Sequence, residues 1–377
     1  MNKNLILNNI KDGINHNHNQ FTQLNKVINE EIHKLKKKNI SIIKLIGKGS
    51  FGHIYLAKYG NQNIALKIIK LENNDEILCD LSKKKYSYEI NTHMNLHHLN
   101  IIKSFFNFSF VNENINYFVI FQFLANYKDL SKFIFYLQKR NIYNLINNTS
   151  NFGFLFYSSE IFIKYIIKQI FLGIFCLHEH NIIHCDIKPS NILINNFIMM
   201  ITDFSIIVPY QKTKYTYINF GTKKYAPIES YFRETLTCNV FKVDYFSIGC
   251  IIFELLTKEV LINENIEQQT NNKYIAFNKI IYKGINKLKN LNQIKGKKYS
   301  KKFINFIIGL IIPDPSLRIG YKEIIQNLFM NNDKDCKVIN DIYNINGYEK
   351  GLKFFLELQK DIKNLNNFKK RRKYVIN

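Results

Sequence analysis

The chain has 377 residues, of which 46% are hydrophobic and 14% aromatic, and it carries a net charge of +24. That is apolar material for one two-lobed enzyme domain or two small ones, and it excludes a disordered chain. The charge is almost wholly lysine, with arginine only at Arg140, Arg233, Arg318, Arg371 and Arg372. Such a field attracts acidic partners and weakly binds polyanions, although the heavy use of Asn, Ile, Lys, Tyr and Phe also fits an AT-rich genome.

Residues 1–38 read as a polar extension, with weak helical periodicity from Phe21 to Leu35. Strand-like alternation runs from near Ile42 to about Lys70, and a helical pattern follows from Asp75 to Leu96. Two further strands fit Ile101 to Phe110 and Tyr117 to Phe123. Beyond Asn126 the spacing turns helical over Leu130–Leu145, Ser159–His180, Asp244–Thr257, Lys301–Ile311 and Tyr321–Met330. The Asn-rich stretches Asn141–Gly153 and Asn263–Lys273 read as loops, and the chain from Asn331 as a charged tail with one amphipathic stretch near Tyr348–Leu365. The longest apolar run, around Phe303 to Ile312, is too short for a bilayer, and no signal peptide or lipidation motif is visible. The six cysteines show no C-x-x-C spacing and no zinc pattern, which predicts reduced thiols in an intracellular, cytoplasmic or nuclear protein.

Several short segments carry chemistry. Gly47-Lys48-Gly49-Ser50-Phe51-Gly52-His53-Ile54 falls between strand patterns, where glycines let a backbone approach phosphates closely. A dinucleotide-binding turn would lead straight into a helix. Here the next pattern is another strand, Ile64-Ala65-Leu66-Lys67-Ile68-Ile69. Lys67 alone would be one lysine among many. His97 and His98 are adjacent and point to different faces of a helix, so a structural pair is expected and not a metal site. Phe118 to Ala125 is an apolar strand leading to a polar linker. The strongest signal is His184-Cys185-Asp186-Ile187-Lys188-Pro189-Ser190-Asn191, followed by Asp203-Phe204-Ser205. Two aspartates, a lysine and an asparagine in one span can orient a hydroxyl, neutralise a transferring phosphoryl group and hold metal ions. Gly221-Thr222 to Pro227-Ile228-Glu229, Asp244-Tyr245-Phe246-Ser247-Ile248-Gly249 and Asp314-Pro315-Ser316-Leu317-Arg318 follow in order. Four of the five prolines, Pro189, Pro227, Pro313 and Pro315, fall inside or beside these segments.

Taken in order from about Ile42 to Met330, the segments resemble the eukaryotic protein kinases of serine/threonine type. The resemblance implies an α+β, bilobal protein-kinase-like fold, with a small antiparallel-sheet N-lobe holding one helix and a larger, mostly helical C-lobe. It implies a polar extension at 1–38, a kinase domain at 39–330 divided near 124, and a basic tail at 331–377. ATP is the implied phosphoryl donor, with Mg²⁺ or Mn²⁺. Asp186 would be the catalytic base and Lys188 would steady the γ-phosphate. Asn191 and Asp203 would hold the metal, and Lys67, paired with Glu89, would reach the α- and β-phosphates. Gly47, Lys48, Gly49, Ser50, Phe51, Gly52 and Ile54 would form the glycine-rich cover. Ala65, Phe121 as a bulky gatekeeper, Gln122 and Leu124 through their backbone, and Leu193 would surround the adenine. Arg318 would pair with Glu229 through its planar fork.

Two letters depart from the family's pattern. Cys185 stands where most members have Arg, so a phosphate on Thr213, Thr216 or Tyr217 would lack its main charged anchor. Ser205 stands where nearly all have Gly, which bears on loop mobility and leaves Asp203 in place. A second reading follows from them: a pseudokinase, binding nucleotide or acting as a scaffold without transfer. The intact set of Lys67, Glu89, Asp186, Lys188, Asn191 and Asp203 opposes it. Protein substrates are the expected partners. Lys212, Lys214, Lys223 and Lys224, in a stretch from Ser205 to Ile228 without Asp or Glu, predict acidic or already phosphorylated ones. No nucleic-acid-reading motif is present, and neither specific nucleic acid nor membrane is expected as a partner.

Overall fold

The computed structural model describes residues 26–31, 33, 39–48, 52–71, 92, 96–112, 115–125, 129–135, 160–195, 198–209, 221–231, 240–263, 266, 272–293 and 299–328. Two compact units divide the chain: Met1–His97 with Ile102–Leu124, and His98–Ile101 with Ala125–Asn377. The fold is α+β.

The first unit is built on an antiparallel five-stranded sheet. Its strands are β1 (Ile40–Lys48), β2 (His53–Tyr59), β3 (Gln62–Leu71), β4 (Ser104–Asn112) and β5 (Ile115–Gln122), in the order β1-β2-β3-β5-β4. Pairing of Tyr59 with Gln62 leaves a two-residue hairpin loop, and Gly60 takes the positive φ of 59° that such a loop needs at its first position. Residues Ile64 to Ile69 are all buried, so β3 is covered on both faces. One face packs Ile64, Leu66 and Ile68 with Ile40, Ile42, Ala57, Phe108, Phe110, Val119 and Phe121. On the other, Ile69 and Ile120 pack with Phe118.

The polar extension contributes to this core. Residues 26–31 are helical, and Ile28 is fully buried in the larger cluster. Asn29 clamps the start of β1, its Oδ1 accepting from the Ile40 amide and its Nδ2 donating to the Ile40 carbonyl, both at 2.8 Å. A side chain thus supplies the pair of hydrogen bonds that a neighbouring strand would give to an edge. The helix expected over Asp75–Leu96 lies outside the described residues apart from Thr92 and Leu96. β4 starts at Ser104, three residues later than the sequence pattern; Ile101 instead bridges to Ile201 within the second unit.

The second unit is mostly helical. Its main helices are α1 (Glu160–Glu179), α2 (Lys242–Thr257), α3 (Lys273–Lys289), α4 (Lys301–Ile311) and α5 (Tyr321–Leu328). Two small antiparallel sheets pair β6 (Ile182–Ile183) with β9 (Val208–Pro209) and, as a hairpin, β7 (Ile192–Asn195) with β8 (Ile198–Ile201). α1, 20 residues long and with mean hydropathy 1.6 over an 18-residue window, is long and apolar enough to cross a membrane by length and composition. Its apolar residues are instead spent inside the unit, where Phe162, Ile166, Ile170, Phe171 and Ile174 are buried beside the polar Lys168 and Gln169. That is the pattern of a core helix. α2 is buried almost all round, and it ends on Lys258 in the left-handed region (φ 65°), whose amide returns to the Glu254 carbonyl. α3 falls in a region that the periodicity left unassigned. Asn272 caps it, its side chain accepting from the amides of Tyr274 and Ile275.

Candidate active site

The loop between β6 and β7 is hung on one buried carboxylate. Asp244, in the first turn of α2, accepts from the amides of His184 and Cys185, each at 3.0 Å, and from His178 Nε2 at 2.8 Å. Burial alone would push this carboxyl up. The hydrogen bond from His178, with that from the His184 amide, outweighs it and holds it below the usual carboxylate value. Cys185 sits at φ 66°, a conformation that costs a non-glycine residue. The two amide bonds to Asp244 hold it there. The Cys185 thiol is buried, 3.8 Å from the Ile183 carbonyl. Burial, with the nearby charges of Asp244 and Asp186, pushes its pKa well up, so it stays a neutral thiol. It offers no cation to a phosphate; Thr213, Thr216 and Tyr217 lie outside the described residues.

His184 orders the next step. Its Nε2 lies 3.1 Å from the Thr202 carbonyl, which assigns that nitrogen as the donor. Nδ1 then accepts from the Asp186 amide at 3.3 Å. The Asp186 carboxylate is held from three sides. Oδ2 accepts from Lys188 Nζ at 2.7 Å and Asn191 Nδ2 at 3.1 Å, and Oδ1 accepts from the Thr222 amide at 2.9 Å. Lys188 Nζ also donates to Thr222 Oγ1 at 2.8 Å. Pro189 opens the short 3-10 turn Pro189–Asn191, where its missing N–H is no loss. Asn191 donates a second time, to the Asp186 carbonyl at 2.9 Å.

Asn191 and Asp203 are brought together by the β7–β8 hairpin, which pairs Ile192 with Ile201, and by the Thr202 amide donating to the Asn191 carbonyl at 3.0 Å. Asp203 has φ 68°, and Phe204 beyond it is fully buried edge-on to His184. Ser205 is buried as well. Among the described residues no three of His, Cys, Asp and Glu form a metal cluster. An asparagine whose Nδ2 is fixed by Asp186, beside an aspartate, instead offers the two hard oxygens that suit Mg²⁺ when phosphates complete its shell. Leu193 lies half-buried in β7, bridged to Asp129.

A second group of contacts fixes the segment after Gly221. Ser247 donates to the Tyr225 carbonyl at 2.8 Å, and the Tyr225 hydroxyl donates to Glu254 Oε2 at 2.7 Å. Glu229 and Arg318 form a bidentate pair, at 2.7 Å and 3.1 Å, with the guanidinium stacked 4.9 Å from the Phe246 ring centre. Lys223 turns inward, donating to the Ser230 carbonyl and lying over the Tyr231 ring. Of the two described lysines expected to meet a substrate, it is Lys224 that is exposed.

The remaining expected residues belong to the first unit. Gly47 and Lys48 end β1, paired with Ile54 and His53; Gly49, Ser50, Phe51 and Glu89 lie outside the described residues. A side chain at Gly52 would place its Cβ 2.6 Å from the Ile68 carbonyl oxygen, so glycine is required there by the backbone of β3. Lys67 is buried, at 5% exposure, on the same face of β3 as Ala65. The β3–β5 register overturns one expectation. Lys67 pairs with Ile120, while Phe121 pairs with Leu66 on the opposite face. Phe121 is fully buried there among the rings of Tyr59, Phe106 and Phe108. A gatekeeper must share the lysine's face, and Ile120 does. Gln122 is on that face too, beside Ser104, and Leu124 is half-buried.

Thr222 and Asp244 are the supports that motif reading left without a role, although both lie in segments it singled out.

The family model described as "Protein kinase domain" matches residues 40–330. An Aurora kinase of Saccharomyces cerevisiae is 27% identical over 256 residues, covering 66% of this chain and 62% of the relative. An Aurora kinase of Eremothecium gossypii is 24% identical over 255 residues, covering 66% of this chain and 61% of the relative. A probable cyclin-dependent serine/threonine-protein kinase of Dictyostelium discoideum is 30% identical over 233 residues, covering 58% of this chain and 14% of the relative. The chain thus matches less than two thirds of the length of each of these relatives.

Proposed function

The chain belongs to the protein kinase family, and from that premise we propose that it is a serine/threonine kinase moving the γ-phosphoryl group of ATP to protein hydroxyls. The observation that carries this reading is the position of Lys188, whose Nζ bridges Asp186 Oδ2 at 2.7 Å and Thr222 Oγ1 at 2.8 Å. A cation next to the candidate base, tied to a threonine hydroxyl, supplies positive charge where a transferring phosphoryl group gathers negative charge. Asp186 Oδ2 already accepts from Lys188 and Asn191, so it is Oδ1, beside its bond from the Thr222 amide, that keeps lone-pair capacity and accepts the substrate hydroxyl's hydrogen bond. Lys188 steadies the γ-phosphate.

Asn191 and Asp203 hold Mg²⁺, or Mn²⁺ in its place, which when bound neutralises phosphate oxygens. Lys67 serves the α- and β-phosphates with Glu89 as its partner, and the glycine-rich segment Gly47–Gly52 serves them too. Ile54, Ala65 and Leu193, with the backbone of Gln122 and Leu124, serve the adenine; Ile120 takes the gatekeeper's place. Residues 39–330 form the catalytic domain, joined by the helical stretch at 26–31.

Phosphoamino-acid analysis after incubation with labelled ATP, Mg²⁺ and protein substrate tests the reading. Phosphoserine and phosphothreonine are expected, with Lys67→Met and Asp203→Ala each lowering the rate by orders of magnitude. Phosphotyrosine as the main product would refute the serine/threonine assignment.

A further inference from the structure

We infer that Gly221 is a positioning residue for the Asp186 carboxylate, an inference that takes its catalytic meaning from the function proposed above. The Gly221 amide lies 3.3 Å from the Cys185 carbonyl, which pins residue 221 against the loop that carries Asp186. A Cβ at residue 221 would stand 2.5 Å from both Cγ and Oδ1 of Asp186, and 2.8 Å from Ile206 Cδ1. Carbon cannot approach that closely. Ile206 can swing its terminal methyl away, but the Asp186 carboxylate has no free direction. Its Oδ1 is fixed by the Thr222 amide, the very next residue, and its Oδ2 by Lys188 and Asn191. Any side chain at 221 therefore turns or displaces the carboxylate and breaks at least one of those bonds. The bare face of Gly221 is the wall against which the base is seated.

A double-mutant cycle reads this directly. Melting temperatures are compared for wild type, Gly221→Ala, Asp186→Ala and the double variant. Alanine at 186 lacks the Cγ and Oδ1 that collide. Gly221→Ala should lower the melting temperature by a few degrees in the wild-type background and by much less beside Asp186→Ala. Should Gly221→Ala fail to fold, recovery of a folded double variant carries the same meaning. In the active enzyme, Gly221→Ala should lower kcat by about 10²-fold while KM for ATP stays within about two-fold, because a base displaced by the order of an ångström loses orientation and not nucleotide affinity. Equal melting losses in both backgrounds, or wild-type kcat in Gly221→Ala, would overturn the inference. A wild-type protein that transfers no phosphate but shows the thermal coupling would defeat the proposed function and leave the seating role of Gly221 standing.

Discussion

Arg318 shows how one residue can be read from both ends. Its Nε donates to Ile312, Nη1 to Glu229 and Lys242, and Nη2 to Glu229 and Pro313, which engages all of the guanidinium's N–H groups. Lysine has neither the planar fork nor the donors for this. Because arginine is so scarce in this chain, the residue stood out in the sequence. Arg318→Leu leaves Glu229 buried and alone, which should cost about 3–5 kcal/mol by chemical denaturation; an unchanged midpoint would contradict the pairing. Asp244 was harder to see, since its importance lies in what it hangs, two amides and a histidine. Its pKa is depressed in the folded chain, so its contribution to stability is present above the unfolded value, near 3.8, and is lost as the pH falls toward the lower folded value. Asp244→Asn should melt lower at neutral pH and lose part of the acid-induced drop below pH 3.8. Parallel acid profiles for variant and wild type would argue against this. Phe121 failed for a plain reason. Residues 118 to 121 are all apolar, so composition cannot say which of them faces Lys67, and a one-residue change of register exchanges the faces.

At the scale of elements, strong periodicity was legible and weak or interrupted periodicity was not. α1, α2 and α4 were found within two residues of their observed ends. α3 was missed, although Phe277, Ile280, Ile281, Ile285 and Leu288 repeat at helical spacing and Asn272 stands ready as a cap. Its lysines and the Asn-rich stretch before it hid the pattern. β6 and β9 are too short to carry an alternation at all. The helical stretch at 26–31 shows the opposite case, a polar-looking segment whose one buried residue matters. Ile28→Ala should destabilise the first unit by about 2–5 kcal/mol, measured by denaturant unfolding. A loss no larger than at an exposed site would mean that Ile28 does not belong to that core.

For the whole molecule, the order of the motifs made the family legible long before any contact was known, because each motif constrains the spacing of the next. The charge of +24 was less informative. Lys223 proved to be engaged inside its own loop, so of the described pair Lys224 is left for a substrate. A preference for Asp, Glu or phosphoserine beside the acceptor is still expected, at about 0.2–1 kcal/mol per exposed contact and fading at high salt. A positional peptide library that favours Arg or Lys would refute it. The central claim is that Asp186, seated by Lys188, Asn191 and Thr222, is the base of a phosphoryl transfer. Its most direct test is the initial rate of phosphate transfer from labelled ATP to protein by wild type beside Asp186→Asn, which keeps the side chain's size and removes its charge. The account predicts measurable transfer by wild type and a loss of orders of magnitude in the variant. Equal rates in the two proteins, or none in either, would contradict it.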